Sequence, residues 1–153
     1  MDIVVDASVV LAACLPDEST PQAQRLMRDY ALGTVDLWAP RLLLLELLNV
    51  CLVAARRGRL EQSVLDGLAT YIAALQINWV NVEEQPKRIL SVARQLGLTA
   101  YDTAYIVAAQ VRNNCMLVTA DKRMFVSAKE AFPFVVLLED YKGASGTRSQ
   151  PPN

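Results

Sequence analysis

Histidine is absent from the 153-residue chain. Without imidazole there is no Ser-His-Asp triad, no Cys-His pair, no histidine general base and no histidine metal ligand. Any catalysis has to come from carboxylates, hydroxyls, Lys, Arg, Tyr, Cys or a bound metal. Cysteine is scarce. Cys14, Cys51 and Cys115 are odd in number, far apart and set in apolar surroundings. No pair has zinc-site spacing, and reduced, buried thiols are expected. Net charge is also lacking: 15 Lys and Arg face 16 Asp and Glu, leaving −1. So neutral a chain does not hold nucleic acid by bulk charge. Such a contact has to be local, or assisted by a bound cation. Nor is there an apolar run of the about 20 residues that a membrane span needs. The longest, residues 42–55, is interrupted by Glu46 and Asn49. The N-terminus shows no basic region and no signal-peptide core. A cytoplasmic protein with no membrane partner is the expectation.

What is present points to a packed domain. Hydrophobic residues make up 53% of the chain and the mean hydropathy is positive, which excludes disorder for most of it. The length suits one domain with a real core. One unit is expected over residues 1–141, followed by a disordered Gly-, Ser- and Pro-rich tail over 142–153.

Strand and helix signals alternate from end to end. Ile3-Val4-Val5 is a β-rich run, with a helix from about Ser8. Ala23, Leu26, Met27 and Tyr30 recur at helical spacing. Val35-Asp36-Leu37-Trp38 reads as a strand. Pro40 then suits the first position of a helix running to about Arg57, stopped by Gly58. Leu65, Leu68, Ile72 and Leu75 mark another helix, and Trp79-Val80-Asn81-Val82 a strand. Ile89, Val92, Ala93 and Leu96 mark a helix ended by Gly97, and Thr99 opens one through about Arg112. Met116-Leu117-Val118-Thr119 is a strand, residues 122–131 a short helix, and residues 134–138 the last strand. This alternation predicts an α/β three-layer sandwich with a mostly parallel sheet of about five strands. The strands are nearly all apolar, as when both faces are covered.

Four acids stand in unusual places. Glu46 lies within Leu42-Leu43-Leu44-Leu45-Glu46-Leu47-Leu48-Asn49-Val50, on a helix expected to be largely buried. A buried carboxylate there needs an arginine, a proton or a metal to offset its desolvation. The alternative is a narrow solvent stripe shared with Asn49 or Arg56. Asn49 lies one turn on, on the same face, and is placed to orient the carboxylate. Asp6 ends the first strand, where ligands gather in open α/β sheets; taken alone, a helix N-cap is the simpler account of it. Ser8 is placed to turn its hydroxyl back to that site, or to satisfy local backbone. Asp121 follows Leu117-Val118-Thr119-Ala120 in the same strand-to-helix pattern. Asp102 sits three residues after Thr99, in a capping-box position and in a first turn that favours negative charge. Asp6, Asp102 and Asp121 taken singly are explained by their own helix starts; Glu46, inside an apolar helix, is not. Together, four converging carboxylates repel one another unless a cation intervenes. Hard oxygen ligands without His or Cys suit Mg²⁺ or Mn²⁺, and the matching chemistry is phosphodiester hydrolysis.

Val5-Asp6-Ala7-Ser8-Val9, Leu45-Glu46-Leu47-Leu48-Asn49-Val50, Ala100-Tyr101-Asp102-Thr103-Ala104-Tyr105 and Val118-Thr119-Ala120-Asp121 resemble the four acidic motifs of PIN-domain nucleases. Small size and the basic Ala54-Ala55-Arg56-Arg57-Gly58 segment resemble the VapC-type toxins of toxin–antitoxin pairs. The resemblance spans about residues 2–138. It implies Asp6 and Asp102 as principal metal ligands, with Glu46 and Asp121 completing the acidic cluster. It places the Ser8 and Thr119 hydroxyls near the site. It also implies products with a 5′-phosphate and a 3′-hydroxyl, a homodimer, and a small antitoxin whose tail enters the acidic groove, often with an arginine. Arg56, Arg57, Lys122 and Arg123 are candidate contacts for the RNA backbone, or else solvated charges at helix ends. Trp38 and Trp79 are expected in the core or at a dimer contact.

Three competing functions fit parts of the pattern. An aspartyl-phosphate receiver or phosphatase shares the α/β plan, but Ser8 stands where such a phosphatase wants a second Asp. Val4 and Val5 do not supply a receiver's paired acids. A binding module for basic peptides would use the acids only as caps. An RNA-processing or DNA nuclease would keep the chemistry and change the substrate.

Overall fold

The structure, a computed structural model, describes residues 1–144. The predicted disordered tail therefore falls outside the described residues from position 145 onward. Residues 142–144 lie against a helix, where Asp29 accepts the Ala144 amide at 3.0 Å and Arg25 donates to the Lys142 carbonyl at 3.1 Å.

Five strands form one sheet: β1 (Asp2–Val5), β2 (Asp36–Pro40), β3 (Asn78–Val80), β4 (Met116–Thr119) and β5 (Val135–Leu137). Their spatial order is β3-β2-β1-β4-β5 and every neighbouring pair is parallel. Seven helices surround them: α1 (Ala7–Cys14), α2 (Pro21–Ala31), α3 (Leu42–Arg56), α4 (Gln62–Ala74), α5 (Pro86–Leu96), α6 (Ala100–Val111) and α7 (Lys122–Ala128). A 3₁₀ turn, Leu138–Asp140, follows β5. The predicted α/β sandwich is observed, with the sheet parallel throughout. Parallel strands need crossovers that cover both faces, which is why Ile3, Val4, Val5, Leu37, Leu117 and Val118 are buried. Among the described residues, no helix is long and apolar enough to cross a membrane.

The central support is α6. Its residues 103–109 are all buried, and Ala104, Ala108 and Ala109 let the helix lie close on the sheet. Thr99 caps it, accepting the Asp102 amide at 3.1 Å. At its far end Arg112 lies over the Trp38 ring, 3.7 Å from its centroid, and pairs with Asp2. Trp38 is thus a half-buried packing residue, as expected. Gly97 ends α5 at φ +65°, the left-handed conformation that glycine adopts without penalty.

Two local expectations are corrected. Pro40 does not open a helix. It ends β2, paired with Val80 on one side and past the last rung to β1, which stops at Trp38. The third helix therefore starts at Leu42 with no side-chain cap. That helix is also not largely buried. Leu43, Leu47, Cys51 and Ala54 face the core, while Leu44, Leu45, Leu48 and Leu52 are exposed, Leu45 to 70%. All three cysteines are free, but only Cys51 is fully buried; Cys14 and Cys115 are half-buried.

Candidate active site

The strand order locates the site. From β1 the chain winds outward to β2 and β3, then crosses to the other side of β1 to lay down β4 and β5. This reversal sets the carboxyl ends of β1 and β4 at the topological switch point, where open α/β sheets bind ligands. Asp6 follows β1 and Asp121 lies just beyond β4. The pairing of Val5 with Val118 brings the next residues, Asp6 and Thr119, alongside each other.

Hydroxyls tie the two strand ends together. Asp6 is only 4% exposed. Its Oδ1 accepts from the Val9 amide at 3.2 Å and from the Ser8 hydroxyl, and its Oδ2 accepts from the Thr119 hydroxyl. Ser8 Oγ also accepts the Ala120 amide at 2.8 Å. Thr119 Oγ1 also accepts the Asp121 amide at 2.9 Å. Both hydroxyls therefore bridge the β1 and β4 loops, besides holding the carboxylate. Asp121 caps α7, accepting from the Arg123 and Met124 amides at 2.8 and 3.1 Å. The capping explanations for Asp6 and Asp121 are thus correct as far as they go. They coexist with a shared network.

Glu46 and Asp102 face this network from α3 and α6. Glu46 is half-buried, and its Oε2 accepts from the hydroxyl of Tyr105. This bond from a phenol offsets part of the cost of burying the carboxylate, whose pKa remains raised. Tyr105 is a site residue that sequence reasoning missed. Its signal was present: it follows Asp102 by three residues, on the same face of one helix. Asp102 Oδ2 accepts from the Arg123 guanidinium at 2.9 Å.

Electrostatics link the four acids. Burial pushes the Asp6 carboxyl up to about 6, and the charge of Asp121 adds to the rise. Hydrogen bonds from Ser8, Thr119 and Val9 oppose it. Burial also raises Glu46, with the Tyr105 bond opposing and the Asp102 charge adding. Tyr105 is pushed up, first by its own burial and then by Glu46, with Asp6 and Asp102 contributing. The acids therefore share one locus, but as two coupled pairs, Asp6 with Asp121 and Glu46 with Asp102. Among the described residues, no three carboxylates are already gathered as a metal cluster. The donor chemistry nonetheless fits a hard cation: oxygen ligands only, one of them, Asp6, buried so that its carboxyl is pushed up to about 6.

The remaining candidates lie farther out. Asn49 is exposed and makes no hydrogen bond to Glu46, which takes its bond from Tyr105. Arg56 and Arg57 are exposed at the end of α3, roughly 15 Å along the helix from Glu46 at 1.5 Å per residue. Lys122 pairs loosely with Glu139 at 3.5 Å. Trp79 is partly exposed beside Arg41, whose guanidinium lies 5.8 Å from its ring centroid.

Comparison with known proteins matches this architecture to a class. The family model described as the PIN domain matches residues 3–130. The chain belongs to the PIN-domain family of nucleases. Within it, the chain is similar to Ribonuclease VapC3 of Pyrobaculum aerophilum, 32% identical over 141 residues, covering 89% of this chain and 98% of that one. Its fold is like the crystal structure of PAE2754 from Pyrobaculum aerophilum, with a TM-score of 0.60 and 22% identity over 91% of this chain and 93% of that one.

Proposed function

We propose that this chain is a divalent-metal-dependent endoribonuclease, carried by one unit over residues 1–141 and acting in the cytoplasm as the toxin of a toxin–antitoxin pair. The observation that carries the reading is Asp6: a carboxylate buried at the switch point, fixed by two hydroxyls and short of positive charge. Family membership and likeness to a protein named as a ribonuclease support it.

Mg²⁺ or Mn²⁺, when bound, would supply an activated water and neutralise charge developing on the phosphate. Asp6 and Asp102 are its principal ligands in this reading, with Glu46 and Asp121 completing the set. Ser8 and Thr119 fix the Asp6 carboxylate, so that no reorganisation is needed at the moment of reaction. Tyr105 holds Glu46 in the same way. Asn49 would act only through water. Hydrolysis adds water to phosphorus, breaks the P–O3′ bond and delivers a proton to the departing oxygen. The products are a 5′-phosphate and a 3′-hydroxyl. Arg56, Arg57, Lys122 and Arg123 would hold the backbone to either side, as a nearly neutral protein requires of its few local cations. The exposed leucines of α3 offer apolar surface for a second copy or for the antitoxin.

The test is cleavage of single-stranded RNA with Mn²⁺ by wild type, Asp6→Asn and Asp102→Asn. Loss of at least about 100-fold in rate is expected, the scale of removing one electrostatic element of a site. Retained cleavage by a carefully purified Asp6→Asn sample overturns the mechanism. Growth arrest by the wild type alone, and not by Asp6→Asn, tests the toxin role.

A further inference from the structure

Arg123 is bonded to two of the four acids at once. Its backbone amide donates to Asp121 Oδ1 at 2.8 Å, while its guanidinium reaches Asp102 Oδ2 at 2.9 Å. Among the described residues it is the basic side chain paired with one of these acids; Lys122 goes to Glu139, and Arg59 to Asp17 and Glu18. The two halves of the ion pair are unequally held. The Asp102 side chain is 22% exposed and Arg123 is 64% exposed. The carboxylate is thus fixed within the site, whereas the guanidinium covers it from solvent with little packing of its own.

We propose that Arg123 is a built-in counter-ion, holding at Asp102 the place of a divalent cation, and that cation entry frees its guanidinium to grip an RNA phosphate. This rests on the metal-dependent ribonuclease reading above. Coulomb repulsion between a guanidinium and a dication a few ångströms apart opposes their joint occupancy of Asp102. Releasing an exposed ion pair costs little, so a cation can displace it. The backbone bond to Asp121 does not depend on the side chain. The stem therefore stays anchored at the site, and the freed fork remains within reach of a phosphate, which it matches geometrically. The exchange couples the two ligands: the cation removes a self-inhibiting contact and delivers a substrate contact in one step.

The two roles predict effects of opposite sign in one variant. Calorimetric titration of Mn²⁺ is to be compared for wild type, Arg123→Gln, Arg123→Lys and Asp102→Asn. RNA binding is to be read with Mn²⁺ present, for the wild type and each Arg123 variant with Asp6 and Asp102 intact, from the anisotropy of a fluorescent single-stranded phosphorothioate oligonucleotide that keeps its charge but resists hydrolysis, across a range of salt. Arg123→Gln is expected to bind Mn²⁺ about three- to tenfold tighter, having lost both a competitor and a repelling charge. It is expected to bind RNA more weakly, with the logarithmic salt slope reduced by about 0.7, as for one lost phosphate contact on a single strand. Arg123→Lys should return both quantities toward wild type; a Lys variant behaving like Gln overturns the charge argument. Mn²⁺ binding that is Asp102-dependent but unchanged in Arg123→Gln overturns this proposal alone. No Mn²⁺ binding by the wild type, or binding indifferent to Asp102→Asn, overturns the ribonuclease reading and this proposal with it.

Discussion

At the residue scale, Asp6 combines two demands that conflict in water-free surroundings. It caps α1 and faces Asp121 while almost wholly buried. In the unfolded chain it titrates near 3.8, and in the fold near 6. The folded state therefore holds the proton more tightly. Asp6 favours folding fully below about pH 3.8, and that contribution is lost as pH rises through about 6. Asn keeps the capping ability but carries no charge to desolvate. In the metal-free protein with chelator, Asp6→Asn should therefore gain on the wild type between pH 4 and 7, by about 1–3 kcal/mol at the upper end. Denaturant titrations of both proteins across that range give the difference directly. A difference independent of pH would mean that the carboxylate is already relieved in the apo fold. Tyr105 teaches the complementary lesson. A tyrosine within an apolar helix looks like core, and it is core, being 2% exposed. Only its hydroxyl, reaching Glu46, joins the site.

At the element scale, α3 shows where pattern reasoning stops. Its run of leucines predicts a helix largely buried, with at most a narrow solvent stripe. A helix at the edge of a three-layer fold buries one stripe, here Leu43, Leu47, Cys51 and Ala54. The same sequence is compatible with either outcome, because composition around the helix does not say what covers it. The exposed stripe of Leu44, Leu45, Leu48 and Leu52 is carried by a helix that packs against α4, which itself exposes Val64 and Tyr71. If the chain pairs with a second copy through this face, Leu45→Glu with Leu48→Glu should yield monomers in sedimentation velocity. The fold should change by no more than about 0.5 kcal/mol per site, as for exposed positions. A double variant that still forms the wild-type dimer moves the interface elsewhere. Pro40 illustrates the same limit at a boundary. Proline suits a helix start as well as a strand end, and the pairing with Val80 decided between them.

At the scale of the whole molecule, function follows from the strand order β3-β2-β1-β4-β5. The reversal beside β1 turns residues more than a hundred positions apart into neighbours, so that Thr119 and Ser8 bridge the two loops. The assembled site should then behave as one thermodynamic unit. A cation that binds only the folded site stabilises it by mass action, about 2.7 kcal/mol at a hundred times its dissociation constant. For a chain of this size that corresponds to a rise in melting temperature of about 5–10 °C. Thermal scans with and without Mn²⁺ should show this rise for the wild type, and little of it for Asp6→Asn or Asp102→Asn. An equal rise in all three would place the ion outside the acidic site.

The order of elements, the apolar strands, the chemistry left once histidine is excluded and the positions of four acids were determined by the sequence, because each is a local pattern with its own period or residue type. The tertiary structure decided what those acids touch. The four are linked as two pairs, Asp6 with Asp121 and Glu46 with Asp102, Tyr105 donates to Glu46, and Arg123 covers Asp102. These are contacts between α3, α6 and α7. Their geometry depends on how deeply each helix settles on the sheet, which no local pattern encodes.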